Sequence, residues 1–106
     1  MNILDVKTLC SKGIIMWTEH VEKRMMQRGI SRNDVKRCIM NGEIIENYPD
    51  DYPYPSCLIF GQIEGDKILH VVVSISDGVP KILNVITAYF PNDRKFEADM
   101  KTRRGK

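Results

Sequence analysis

The chain has 106 residues, 42% of them apolar and 28% charged, with a formal net charge of +2. Two independent cores could not each bury enough apolar surface at half this length, so one domain is expected over residues 1–106. No apolar run approaches the roughly 20 residues of a membrane span, and the opening residues lack the basic start and long apolar stretch of a secretory signal, so a cytoplasmic protein with no membrane partner is expected.

Residues 1–17 carry Ile3, Leu4, Val6 and Leu9 in a pattern too loose to separate a short helix from a docking arm. From Thr18 the signal is clean. Thr18 can cap a helix, Glu19 sits where the positive end of the helix dipole favours an anion, Val21 and Met25 recur at i, i+4, and Gly29 can end it. This predicts a helix over 18–28. Ser31 and Asp34 have the spacing of a capping box, with Ile30 and Val35 placed as a hydrophobic staple. Val35, Cys38 and Ile39 supply the core stripe of this second helix, and Asn41-Gly42 stops it.

Downstream, residues 43–48, 57–63, 67–75 and 81–90 are rich in Ile, Val, Leu and aromatics and read as strands joined in an antiparallel meander. Residues 64–67 form a tight connection and 76–80 a looser one. Between the first two strands, Pro49, Pro53 and Pro55 rule out regular ladder pairing and enforce a stiff loop that also carries Tyr48, Tyr52 and Tyr54. Beyond Pro91 the chain turns polar and basic, with a short helix around Phe96 and Met100 or a tail expected. The fold class is thus α+β, with two N-terminal helices on a four-stranded antiparallel sheet. The core spans 18–99, flanked by an arm or short helix at 1–17 and a basic tail at 100–106.

Chemistry could reside at a few places. His20, Arg24 and Arg28 follow at steps of four on the first strong helix, beside the Val21–Met25 stripe. An imidazole that moves a proton near neutral pH, next to guanidiniums that grip phosphate through paired N–H groups, suits phosphodiester chemistry; on spacing alone, a solvated basic face with a capping histidine is favoured. His70 interrupts the apolar run of 68–73, as a core histidine or as an acid or base. Alternation places Thr87 and Tyr89 on one face with Leu83 and Val85, where they could orient phosphate or stack a base or simply satisfy strand propensity. Tyr54 in the stiff loop and Lys95 in the late basic cluster are further candidates for binding substrate. Cys10, Cys38 and Cys57 lie outside any zinc-binding spacing, and no Gly-rich phosphate loop, nucleophile elbow or carboxylate pair is present, so no metal and no cofactor is expected.

Taken together, Thr18-Glu19-His20-x-x-x-Arg24-x-x-x-Arg28-Gly29-Ile30-Ser31, Gly42-Glu43-Ile44-Ile45, Tyr48-Pro49-Asp50-Asp51, Leu69-His70-Val71-Val72 and Ile86-Thr87-Ala88-Tyr89-x-Pro91 resemble a small bacterial family labelled as a domain of unknown function, often encoded beside zinc-finger or helix-turn-helix antitoxin-like proteins. The resemblance spans about residues 18–99. That family looks like a distant branch of the RelE-like and MqsR-like ribonuclease toxins. The resemblance implies a RelE-like fold, a cleft shared by His20, Arg24, Arg28, His70, Thr87 and Tyr89, RNA rather than DNA as the nucleic-acid partner, and a cognate antitoxin protein. Where relatives often carry tryptophan after the Ala-Tyr-x-Pro strand end, this chain has Phe96, which is expected to keep the aromatic role. The reading that follows is a metal-independent endoribonuclease toxin, with His20 or His70 as the base for 2′-hydroxyl attack. Its alternative is a non-catalytic module that binds RNA or protein through the same basic cleft.

Overall fold

The computed structural model describes residues 1–105. Three helices come first or nearly so: α1 (Ile3–Ser11), α2 (Glu19–Arg28) and α3 (Arg32–Asn41), with a short strand β1 (Ile15–Trp17) between the first two. Four strands follow: β2 (Glu43–Tyr48), β3 (Ser56–Gln62), β4 (Ile68–Ile75) and β5 (Leu83–Tyr89). The helix ends are those the sequence predicts. Thr18 Oγ1 accepts from the Val21 amide at 3.1 Å, Gly29 closes α2 in the left-handed region at φ +70°, and Ser31 and Asp34 exchange side-chain and backbone bonds in a full capping box.

The order across the sheet is β1-β5-β4-β3-β2, with every pairing antiparallel except β1–β5. The expectation of two helices on four antiparallel strands is therefore corrected to three helices on a five-stranded mixed sheet. Residues 1–17, open between a short helix and a docking arm, form an integral helix followed by a strand that was not expected: Asn2 caps α1, Val6 and Cys10 are buried, and residues 15–17 pair with residues 83–85. The short helix expected around Phe96 and Met100 is absent. Residues 91–105 instead form a strap of turns closed by an isolated bridge between Phe96 and Arg103.

The sheet has two unlike faces. One meets the helices: Cys57, Ile59, Leu69, Val71, Val73, Leu83, Val85 and Ala88 pack with Val6, Val21, Met25, Ile30, Val35, Cys38 and Ile39 in one apolar cluster, each buried Val, Leu, Ile or Met side chain contributing roughly 1.5–3 kcal/mol. Burial pushes the Cys38 thiol up to about 12 and the Cys57 thiol up to about 11, which leaves both as inert apolar groups. α3 lies very close to β3. A Cβ at Gly61 would stand 2.2 Å from the Cys38 carbonyl oxygen, and one at Gly42 would stand 2.4 Å from the same atom.

The other face carries Leu58, Phe60, His70, Tyr89 and Thr87, and the strap lies over one end of it. Leu58, His70 and Phe96 are fully buried yet stand outside the helix-side cluster, so they form a second, smaller core. A bulge in β5 assigns the faces: Val72 pairs with Thr87 but Val73 pairs with Val85, so Ile86 is the extra residue. Strict alternation put Thr87 and Tyr89 with Leu83 and Val85. The bulge reverses this, sending Thr87 and Tyr89 to the strap side with His70. No helix among the described residues is long and apolar enough to cross a membrane.

Candidate functional site

At the strap-covered end of the second face lies a cavity of about 390 Å³, lined by Arg28, Tyr89, Phe90, Asn92, Lys95, Phe96 and Arg103. Each wall has a local cause. Tyr89 is the last residue of β5 and stands opposite His70 on β4. Asn92 accepts from the Arg94 and Lys95 amides at 3.0 and 3.2 Å, an Asx turn that swings the chain back over the sheet and fixes where Lys95 starts. Phe96 is buried edge-on to the His70 ring, 4.6 Å between centroids.

Arg28 enters from the sheet edge. Its Nη1 donates to the Ala88 carbonyl at 2.9 Å and to Thr87 Oγ1 at 3.3 Å. Arg103 donates from Nε and Nη2 to both oxygens of Glu46 at 3.1 and 3.0 Å and lies over the Phe96 ring. That pair holds the Glu46 carboxyl below its ordinary range, chiefly through the hydrogen bonds from Arg103. Arg28 and Lys95 have no carboxylate partner among the described residues. The cavity therefore presents two uncompensated cations and a third already paired, a setting that favours an anion.

Behind Tyr89 sits His70, fully buried. Its Nε2 is 2.7 Å from the Met100 carbonyl oxygen and its Nδ1 is 3.3 Å from the Tyr89 hydroxyl. A carbonyl can only accept, so Nε2 carries the hydrogen, and in the neutral ring Nδ1 then accepts from the Tyr89 O–H. Burial lowers the His70 pKa below its ordinary value, opposed by the bond to Met100, so the ring is neutral at physiological pH. Burial likewise raises the Tyr89 hydroxyl. Met100 itself is the one described non-glycine residue at positive φ, +57°, and this strained turn is what directs its carbonyl at His70.

Of the eight residues singled out from sequence, the structure gathers Arg28, His70, Thr87, Tyr89 and Lys95 in or directly behind this cavity. His20 and Arg24 are exposed and line no part of it. The expected common cleft is corrected accordingly, and helix geometry gives the reason. Each step of four residues advances about 40° around the axis, so His20, Arg24 and Arg28 spiral toward the sheet rather than forming one stripe. Only Arg28 arrives. Tyr54 lines a separate cavity at the far end of the same face. Arg103, Asn92 and Glu46 were not singled out from sequence; Arg103 was visible only as part of the late basic cluster.

The described residues hold no group of three or more His, Cys, Asp or Glu side chains placed to share a metal ion. No curated protein and no solved structure matches the chain. The model of the family described as Domain of unknown function (DUF4258) matches residues 17–90 of the 106, and the chain belongs to that family.

Proposed function

We propose that this protein is a metal-independent endoribonuclease that takes an RNA phosphate in the Arg28–Lys95–Arg103 cavity. The observation that carries the reading is the chain of contacts from the cavity inward: Tyr89 hydroxyl, His70 imidazole, Met100 carbonyl. Such a series can relay a proton. Tyr89 Oη takes the hydrogen of a ribose 2′-hydroxyl as its own passes to His70 Nδ1, and the resulting imidazolium keeps its Nε2–H on the Met100 carbonyl. The 2′-oxygen attacks the adjacent phosphorus, Arg28 and Lys95 offset the charge gathering on the phosphoryl oxygens, and the 5′-oxygen leaves with a proton from Lys95. Of the two histidines considered from sequence, this assigns the base to His70, acting through Tyr89, and leaves His20 out.

The reading extends to a RelE-like toxin that works in the cytoplasm and is restrained by a cognate antitoxin protein. DNA, which has no 2′-hydroxyl, would be left uncut. The test is incubation of RNA with wild type, Tyr89→Phe and Arg28→Ala proteins. Wild type should give 2′,3′-cyclic phosphate and 5′-hydroxyl ends, Tyr89→Phe should bind RNA without cutting it, and Arg28→Ala should cut on the order of a hundredfold more slowly. Product ends of another kind, or full activity in Tyr89→Phe, would refute the relay. Growth arrest on induction of wild type but not of Tyr89→Phe checks the toxin reading.

A second reading has its own observation. Burial raises the pKa of the Tyr89 hydroxyl and so holds it protonated, and lowers that of His70 and so weakens it as a base, which leaves no ready base near neutrality. This favours a module that binds RNA in the same cavity without cleaving it, and intact RNA recovered from a tight complex with wild type would select it.

A further inference from the structure

A second cavity, about 360 Å³, opens on the same strap-side face and is lined by Asp51, Tyr52, Tyr54, Ser74, Asn84 and Ile86 among others. It shares a floor with the first. Ser74 pairs with Asn84 across β4 and β5, four residues along β4 from the His70–Tyr89 pair, and the bulge at Ile86 keeps both pairs on one face. That places the cavities about 13 Å apart along the strands. Between them lies the Val72–Thr87 pair, only half-buried, so part of the floor there is open to solvent.

The chemistry of the two ends is complementary. The first has cations; none of the residues lining the second is a cation, and Asp51 would repel phosphate. Aromatic rings dominate instead. Tyr54 is half-buried, a fixed wall, whereas Tyr52 is 95% exposed and contributes nothing to the core. Asn84 is held in place by its Nδ2, which donates to Ser76 Oγ at 2.9 Å and to Ser74 Oγ at 3.3 Å, and Asp51 is tied to Ser56. Asp51 can still accept from an amino group on a ligand. Flat rings on a proline-stiffened loop, with an acceptor beside them and a phosphate site a short strand away, match the requirements of an unstacked base.

We infer that the Tyr52–Tyr54 cavity is a nucleobase subsite, holding a base of the same single-stranded RNA whose phosphate occupies the Arg28–Lys95 cavity. This rests on the phosphate-binding reading of that first cavity. Single-stranded RNA would then lie along β4 and β5, anchored by charge at the strap and by stacking at the loop.

Fluorescence anisotropy with a short single-stranded RNA and with an abasic strand of equal length separates the two sites. The full chain is compared with Tyr52→Ala, Tyr54→Ala, Tyr54→Phe and Lys95→Ala. Tyr52→Ala and Tyr54→Ala should each weaken RNA binding by about tenfold to a hundredfold and leave abasic binding unchanged. Tyr54→Phe keeps the ring and should bind as wild type does, and Lys95→Ala should weaken both strands. RNA binding that responds to Lys95 but not to either tyrosine overturns the subsite, gives the cavity to another occupant such as a peptide, and leaves the phosphate reading standing. Equal losses on the abasic strand overturn it as well, with the exposed Tyr52 deciding if Tyr54→Ala is damaged in folding. No RNA binding by wild type overturns both readings together.

Discussion

Phe96→Ala should release the C-terminal strap while the helix-backed core stays folded. Phe96 is 1% exposed, edge-on to His70 and beneath Arg103, and truncating a phenylalanine so placed costs about 3–5 kcal/mol. What would still hold the strap is slight. The His70–Met100 hydrogen bond is worth about 1 kcal/mol, and the Lys101–Glu43 and Arg103–Glu46 pairs, whose basic partners are 40% and 50% exposed, are worth about 0–1 kcal/mol each. Against them stands the entropy of ordering the strap backbone, about 1–2 kcal/mol for each residue. Hydrogen exchange read by mass spectrometry is the assay. The Phe96, Glu97, Met100 and Arg104 amides, bonded within the strap, should exchange at least about a hundredfold faster, with amides of α3 and β4 nearly unchanged. RNA affinity should fall in parallel, because Lys95 and Arg103 leave with the strap. Equal loss of protection in strap and helices would refute the division into two cores.

Gly61→Ala should be among the most damaging single substitutions, because its Cβ would meet backbone atoms of Cys38 that cannot move aside without shifting α3; a fall in stability of about 3 kcal/mol or more is expected from denaturant unfolding, and a drop below 1 kcal/mol would contradict the close packing. Stability should also depend on pH through His70. Its folded pKa lies below the ordinary 6.5, so this contribution is whole above pH 6.5 and is lost as pH falls through the folded value, where the unfolded chain binds a proton that the folded one refuses. Thermal unfolding should show the loss beginning below pH 6.5, with His70→Gln flattening that window; an unchanged slope in the variant would exclude His70 as the source. Glu46, held down by Arg103, should add a separate loss below its ordinary 4.5.

The caps of α2 and α3 were legible because Thr18, Gly29, Ser31 and Asp34 act within four residues of their partners. β2 was legible in full, and the other three long strands to within two residues, because their apolar runs are bounded by turn residues. β1 was not. Three residues cannot announce a strand by pattern, and its parallel partner lies 68 positions away, at Leu83 for Ile15. The bulge at Ile86 was equally silent, since one extra residue leaves no mark on composition yet reverses the side of Thr87 and Tyr89. At the site, Arg28, His70, Tyr89 and Lys95 were found as residue types suited to phosphodiester chemistry, but the arrival of Lys95 and the closing of the cavity depend on the strap, whose contacts are long-range: Met100 to His70, Arg103 to Glu46. The basic run at 94–106 could not say which of its cations turns inward.

The meeting of β1 and β5 has a consequence for how this protein coexists with copies of itself. β1 stops at Trp17, opposite Val85, so the end of β5, paired with β4 on one side, has no strand on its β1 side, and Arg28 donates to the Ala88 carbonyl there. A guanidinium seated on an open edge denies a foreign strand both the acceptor and the space. The side chain proposed to grip RNA is thus also a guard on the sheet, and anything that draws it wholly toward phosphate leaves the Ala88 carbonyl in want of a donor. Ligand binding and self-association would then compete for one arginine, and activity lost in Arg28→Ala is meaningful only when measured on protein shown to be monomeric.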